Sequence, residues 1–302
     1  MGIPLSKEHD KSQYMDLMLL TSENVDALGK FEVYEDKANS KSYLVFQSSY
    51  SISNVELTES SITQLKKIES IQNCCKLVSH TISKSNVLCF DNFSINLCFE
   101  HYSVSFASEI DKRVQGTQVN ETEVWGFVED LVVYLSDLKH YAIAHGDLQP
   151  KNILLNKNRV VKLLAPLLYT TFENAYKLKL ANNAYKSTYS PEELSLFENR
   201  LSNANLDCHK CDIFSLGICL LSFIRGIPFE KFYNFSVNKI EMDMVKKEMA
   251  KILQESKLSE ELFFFVNVCT KENPIDRADF ELLSKIISKR KQKYKTEDQI
   301  YW

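Results

Sequence analysis

The chain has 302 residues, a formal net charge of -4 and a hydrophobic content of 44%. That length suits one large domain or two lobes sharing an interface, and the mildly acidic balance argues against nucleic acid as the main partner. No run reaches the ~18 apolar residues of a membrane-spanning helix. Eight cysteines without a secretory apolar segment at the start point to reduced thiols in an intracellular, cytoplasmic setting.

In chain order, Met1-Gly2-Ile3-Pro4-Leu5-Ser6 fits the M-G-x-x-x-[ST] pattern for myristoylation of Gly2. Two β-prone runs follow, Phe31–Tyr34 and Tyr43–Phe46, around a polar turn-like segment, Asp36 to Ser42, as in a hairpin. The period then changes: Ile62, Leu65, Ile68 and Ile71 recur at helical spacing, predicting a helix over 58–77. Strands are predicted at Asn86–Phe90 and Ile95–Phe99. Beyond residue 115 the pattern is mostly helical. Asn120 with Glu123 three places on resembles a capping box, and residues 211–224 are apolar on every side, as in a helix buried within a lobe. Further helices are predicted at 246–254, 258–269 and 277–288. A strand-rich first third and a helical remainder, without alternating β-α units, define an α+β architecture. Cys208 and Cys211 form one C-x-x-C, but a structural zinc site needs four ligands and no second pair exists. No metal site is expected.

The densest chemistry lies in His145-Gly146-Asp147-Leu148-Gln149-Pro150-Lys151-Asn152, followed by Ile153-Leu154-Leu155. An Asp and an Asn five residues apart on a loop suit phosphoryl transfer: the Asp can accept a hydroxyl proton and the Asn carbonyl can hold a metal ion near the phosphates.

On this motif the chain resembles the eukaryotic protein kinases, with Gly146 in the Arg position of H-R-D-x-x-x-x-N. Ser190-Pro191-Glu192 resembles the end of an activation segment, and Asp212-Ile213-Phe214-Ser215-Leu216-Gly217 the start of the family's buried central helix. The H-G-D-x-x-x-x-N form also occurs in small-molecule kinases, but the latter two elements favour the protein-kinase branch. The resemblance spans about residues 28 to 288. It implies a bilobal fold: an N-terminal extension at 1–27, a strand-rich N-lobe at 28–100, a helical C-lobe at 101–288 and a basic tail at 289–302. It also implies structural roles for His145, for Asp212 as acceptor of catalytic-loop N–H groups, and for a Glu192–Arg277 ion pair.

The same comparison shows losses at the nucleotide site. A kinase nucleotide loop needs several glycines so that N–H groups can approach the phosphates, and here Gly29 is the sole glycine between Ile3 and Gln115. The position of the phosphate-binding Lys carries Phe46, or Gln47 if the register slips, and no Lys or Arg occurs between Lys41 and Lys66. Glu69 is a remnant of the helix carboxylate that pairs with that Lys, or else a solvated charge on a helix face. Ala165 stands where the family has its metal-binding Asp, and no Asp or Glu lies between Asp147 and Glu173. A methyl group cannot ligate Mg²⁺, which requires oxygen. With Gly146 for Arg, phosphorylation of Thr188 or Tyr189 cannot switch the site by the usual route.

The expectation is a degenerate kinase, a pseudokinase that binds one or more proteins as scaffold or allosteric regulator. Asp147 and Asn152 are vestigial and no cofactor is expected. Two rivals stand beside it. One is an active atypical Ser/Thr kinase using Mg-ATP, with Lys37 or Lys41 as substitute cation. The other is a structural subunit of a larger assembly. Weak membrane association through Gly2 acylation and the cluster Lys285, Lys289, Arg290, Lys291, Lys293 and Lys295 is a further expectation.

Overall fold

The computed structural model describes residues 17–25, 29–38, 40–51, 62–63, 65–87, 90–114, 119–164, 186–199, 206–255 and 258–300. Gly2 and Ala165 lie outside these. The described residues form two compact units, 17–70 with 74–103, and 71–73 with 104–164 and 186–300.

The first unit is an antiparallel sheet of β1 (Leu17–Val25), β2 (Gly29–Asp36), β3 (Lys41–Ser51), β4 (Leu77–Val87) and β5 (Phe90–His101), in the order β1-β2-β3-β5-β4. It begins at Leu17, inside the stretch read as an extension; Leu17-Met18-Leu19-Leu20 lacks the alternation that marks a half-buried strand, so the sequence pattern predicts no strand there. The β2–β3 hairpin forms as expected. Its turn is held by Asp36, whose Oδ1 accepts the Ala38 N–H at 2.8 Å and whose carbonyl accepts the Ser40 N–H at 2.8 Å. Asp is suited to this local bonding.

The strand predicted at Asn86–Phe90 is instead where β4 ends and β5 begins. β4 escaped a hydrophobic count because hydroxyl side chains sit on its polar face. Asn96 Nδ2 donates to Thr81 Oγ1 at 3.1 Å, and Ser83 pairs with Ser94 at 2.6 Å, cross-strand pairs of the kind that support a sheet. The helix predicted over 58–77 is shorter: helical at 62–63 and 65–68, turning at 69–70. Its spacing was nonetheless informative, since Ile62, Leu65, Ile68 and Ile71 are all buried while Lys66 and Lys67 are exposed.

The second unit is built around a helix. Strands β6 (Val104–Ser105), β7 (Ile153–Leu155) and β8 (Val161–Leu163) make a small sheet, and β9 (Tyr233–Asn234) with β10 (Lys239–Ile240) a short hairpin. The helices are α1 (Phe106–Val114), α2 (Glu121–His140), α3 (Pro191–Asn199), α4 (Cys208–Arg225), α5 (Met242–Glu255), α6 (Glu260–Cys269) and α7 (Phe280–Ile300). Every residue of α4 from Cys211 to Ile224 is buried, as its all-round apolarity required. It packs against α1, α2, α5 and α6. Close approach to α6 depends on Gly217: a Cβ there would lie 2.7 Å from Thr270 Cγ2 and 2.8 Å from Cys269 Cβ. Phe106, Phe127 and Phe223 pack with ring centroids 4.6–5.5 Å apart, a range typical of favourable aromatic pairs.

Two expectations about helix ends are corrected. Asn120 does cap α2, accepting the Thr122 N–H at 3.0 Å, but Glu123 does not complete a box. Its Oε1 accepts from Arg159 at 2.7 Å, a charge-assisted bond that outcompetes a neutral N–H. The basic tail at 289–302 is likewise no separate segment, since α7 runs unbroken from Phe280 to Ile300. Several of its cations are engaged. Arg290 lies 4.7 Å from the Trp125 ring centroid, Lys291 pairs with Glu129 at 2.8 Å and Lys293 with Glu261 at 2.7 Å. No helix among the described residues is long and apolar enough to cross a membrane.

At the end of β5, burial lowers the His101 pKa to about 4, and its Nδ1 has no hydrogen-bond partner. The folded protein therefore keeps this imidazole neutral where the unfolded chain protonates it. Stability from this source is complete above the unfolded pKa near 6.5 and is lost as pH falls towards about 4. The urea midpoint of the wild type is expected to drop between pH 7.5 and pH 5, and that of His101→Gln to drop measurably less. Equal drops would show that another group controls the acid limb.

Candidate functional site

In the second unit, the loop between α2 and β7 is held from below by α4. Asp212 is 3% exposed; its Oδ2 accepts the His145 N–H at 2.7 Å and its Oδ1 the Gly146 N–H at 2.9 Å. A buried carboxylate is tolerable on these terms because charge-assisted bonds satisfy it. Gly146 has φ +73, the left-handed region that a side chain at the family's Arg position would enter only with strain. His145 braces the loop, with Nε2 2.9 Å from the Leu164 carbonyl and Nδ1 accepting the Asp147 N–H at 3.2 Å.

This frame brings Asp147 and Asn152 together as their spacing implied. Asn152 Nδ2 donates to the Asp147 carbonyl at 2.8 Å and to its Oδ2 at 3.0 Å. Two donors were not anticipated: Gln149 Nε2 at 2.8 Å and Ser187 Oγ at 2.7 Å, both on Asp147 Oδ1. Gln149 could have been suspected from its place two residues after the Asp. Ser187 is 40 residues away, and nothing local announces it. With the side chain 3% exposed and three side-chain donors already on its two oxygens, Asp147 keeps little acceptor capacity for an incoming hydroxyl.

The segment 187–190 is tied down throughout. The Thr188 hydroxyl donates to the Leu148 carbonyl, and the Thr188 carbonyl accepts from Ser215 Oγ at 2.7 Å. The Tyr189 carbonyl accepts from the Tyr233 hydroxyl at 2.8 Å. Both Thr188 and Tyr189 are 3% exposed, so neither hydroxyl is open to a modifying enzyme in this conformation. Burial pushes the Tyr189 hydroxyl well above its ordinary pKa, with the Asp147 and Glu193 carboxylates adding to the shift.

Ser190 then starts α3 with a capping box. Its N–H donates to Glu193 Oε2 at 2.7 Å, and its Oγ accepts the Glu193 N–H at 3.3 Å. The signal S-x-x-E with Pro at the first helical position was present in the sequence. It leaves the preceding carboxylate, Glu192, free for Arg277. That pair is bidentate, Nη1 to Oε1 at 2.8 Å and Nη2 to Oε2 at 3.0 Å. The other Arg277 N–H groups go to the carbonyls of Lys271, Lys210 and Glu272 at 2.9–3.0 Å. All five donors of a fully buried guanidinium are thereby used, and its carbon lies 4.9 Å from the Phe214 ring centroid.

In the first unit, Phe46 pairs in register with Phe31 of β2 and Leu97 of β5. Alternation along the strands puts Phe31, Val33, Leu44, Phe46 and Leu97 on one apolar face. Phe46 is 1% exposed, with its ring centroid 4.9 Å from that of Phe31. Gln47 belongs to the opposite face, so a register slip supplies no polar group here. The cation opposite Gln47, Lys30, is also on that other face and pairs with the buried Glu32. Gly29 opens β2 opposite Val25. Glu69 is half-buried and sits within electrostatic reach of His80 on β4, whose pKa burial and Lys66 lower while Glu69 raises it. Ala165 lies outside the described residues.

Comparison with known proteins gives this geometry its context. A family model described as protein kinase domain matches residues 43–287, and the chain belongs to that family. It is 28% identical over 206 residues to a calcium/calmodulin-dependent protein kinase kinase of Caenorhabditis elegans, covering 67% of this chain and 35% of the relative. It is 27% identical over 231 residues to MAP kinase-interacting serine/threonine-protein kinase 1 of Xenopus laevis, covering 72% of this chain and 52% of the relative. The chain thus spans about a third to a half of these relatives' lengths.

The Glu192–Arg277 pair predicts a large, separable cost. Arg277→Ala leaves a carboxylate and three carbonyls without their donor and is expected to lower unfolding free energy by ~3–5 kcal/mol. Gly146→Arg is expected to cost ~1–2 kcal/mol through backbone strain alone. Urea denaturation of both variants checks the ranking.

Proposed function

We propose that this protein-kinase-like domain is catalytically silent and works by binding other proteins, as a scaffold or an allosteric partner. The observation that carries this reading is Phe46, a buried ring on an apolar sheet face, where the family's phosphate-binding Lys belongs. Two sequence facts support it, the single loop glycine Gly29 and Ala165 in the place of the metal-binding carboxylate. Kinase catalysis is nearly all positioning and charge neutralisation, and losing one such electrostatic group costs ~10²–10³ in rate. Three are gone, and although such losses do not simply multiply, Asp147 is left with nothing held for it to act upon.

The rival with a substitute cation gains little. Lys41 lies five residues from Phe46 along β3, roughly 17 Å at strand spacing, and Lys37 is in the turn beyond it. What favours residual activity is the intact Asp147–Asn152 pair. The membrane reading loses support where Arg290, Lys291 and Lys293 engage groups of the fold itself.

Thermal-shift titration with ATP, alone and with Mg²⁺ or Mn²⁺, tests the proposal. A ligand at about 100 times its dissociation constant stabilises by ~2.7 kcal/mol, and no metal-dependent shift is expected. Metal-dependent stabilisation, with γ-phosphate turnover lost in Asp147→Asn, would establish the active-kinase alternative instead.

A further inference from the structure

Among the described residues, the sheet of the first unit has two edge strands, β1 and β4, and they differ in chemistry. An edge strand presents a row of unpaired N–H and C=O groups, and only another extended strand satisfies such a row completely. Proteins blunt their edges with charges, above all Lys, or with Pro. β4 carries Lys84 and His80. β1 is nine residues long, LMLLTSENV, with no Lys, Arg or Pro and a single acid at Glu23.

Three of its apolar side chains face solvent. Met18, Leu19 and Leu20 are 41%, 49% and 44% exposed, three consecutive residues on a strand where alternation should bury every second one. The register shifts between Leu19 and Thr21, a bulge at Leu20 of the kind that re-aims a side chain. The result is an uncharged stretch, Leu17 to Ser22, with a hydrophobic lip and, among the described residues, no strand on its outer side.

We propose that β1 pairs antiparallel with β1 of a second copy of this chain, making a twofold dimer through one continuous sheet. Charge selects this occupant. Pairing β1 with itself about Leu20, so that Leu20 meets Leu20 and Glu23 meets Leu17, sets no like charges opposite one another, whereas a β4–β4 contact joins two strands that each carry Lys84. Symmetry selects it too, since a β1–β4 contact is heterologous and can grow into an open chain, while β1–β1 closes on itself. This dimer is independent of whether the domain binds nucleotide.

Sedimentation velocity of the full chain across micromolar concentrations reads the outcome. The wild type is expected at twice 34.9 kDa and Leu20→Lys, which sets lysines against each other at the contact, at the monomer mass with an unchanged far-UV circular dichroism spectrum. A second variant guards against an unrelated contact: Leu20→Cys is expected to cross-link to a covalent dimer with a short bis-maleimide, since the described native cysteines are buried or half-buried. A wild type that stays at 34.9 kDa, as it would if β1 served a foreign strand instead, overturns the proposal. So does a Leu20→Lys protein that remains dimeric.

Discussion

Asp212 stands one turn into a helix that is buried from there onward, and its two carboxylate oxygens take the N–H groups of His145 and Gly146. Removing a carboxylate from water is costly unless donors replace the water, so helix and loop are conditional on each other. From that contact the rest of the polar frame follows. A fixed Gly146 sets Asp147, Asp147 receives Asn152, Gln149 and Ser187, and the Ser187 segment runs on through Thr188 and Ser190 into α3. Arg277 closes the far end through Glu192.

None of this requires a substrate. The network consists of buried polar groups satisfying one another, and partial removal is dearer than complete replacement because a single missing partner strands the other. The loop therefore holds its shape through the protein's own groups. Asp147, now accepting from three side chains at 3% exposure, has a structural reason to remain an aspartate.

The first unit obeys a different constraint. Its sheet is stabilised by apolar burial, in which one hydrophobic group substitutes for another at modest cost. Phe46 against Phe31 fills space that a Lys would have to leave polar. An apolar substitution is therefore readily accommodated in this sheet, whereas removing a polar group of the second-unit network breaks a chain of hydrogen bonds. The two halves can diverge at different rates for this physical reason alone.

Much of the second unit was legible in the sequence because its signals are local. The all-round apolarity of 211–224 and the spacing of His145, Asp147 and Asn152 depend on neighbours a few residues away, and the fold placed them accordingly. Ile62, Leu65, Ile68 and Ile71 showed their buried face even though the helix is shorter than their period suggested. Membership of the protein kinase family and the identities of Gly29, Phe46 and Ala165 are determined by the sequence itself, because they depend on residue type and spacing alone. Tertiary structure alone decided which donors occupy Asp147, that Glu123 serves Arg159 instead of a cap, that the basic segment continues α7, and that β1 is an exposed edge. Each of those depends on which distant atoms meet across tens of residues, and competition among such partners leaves no periodic trace in the chain.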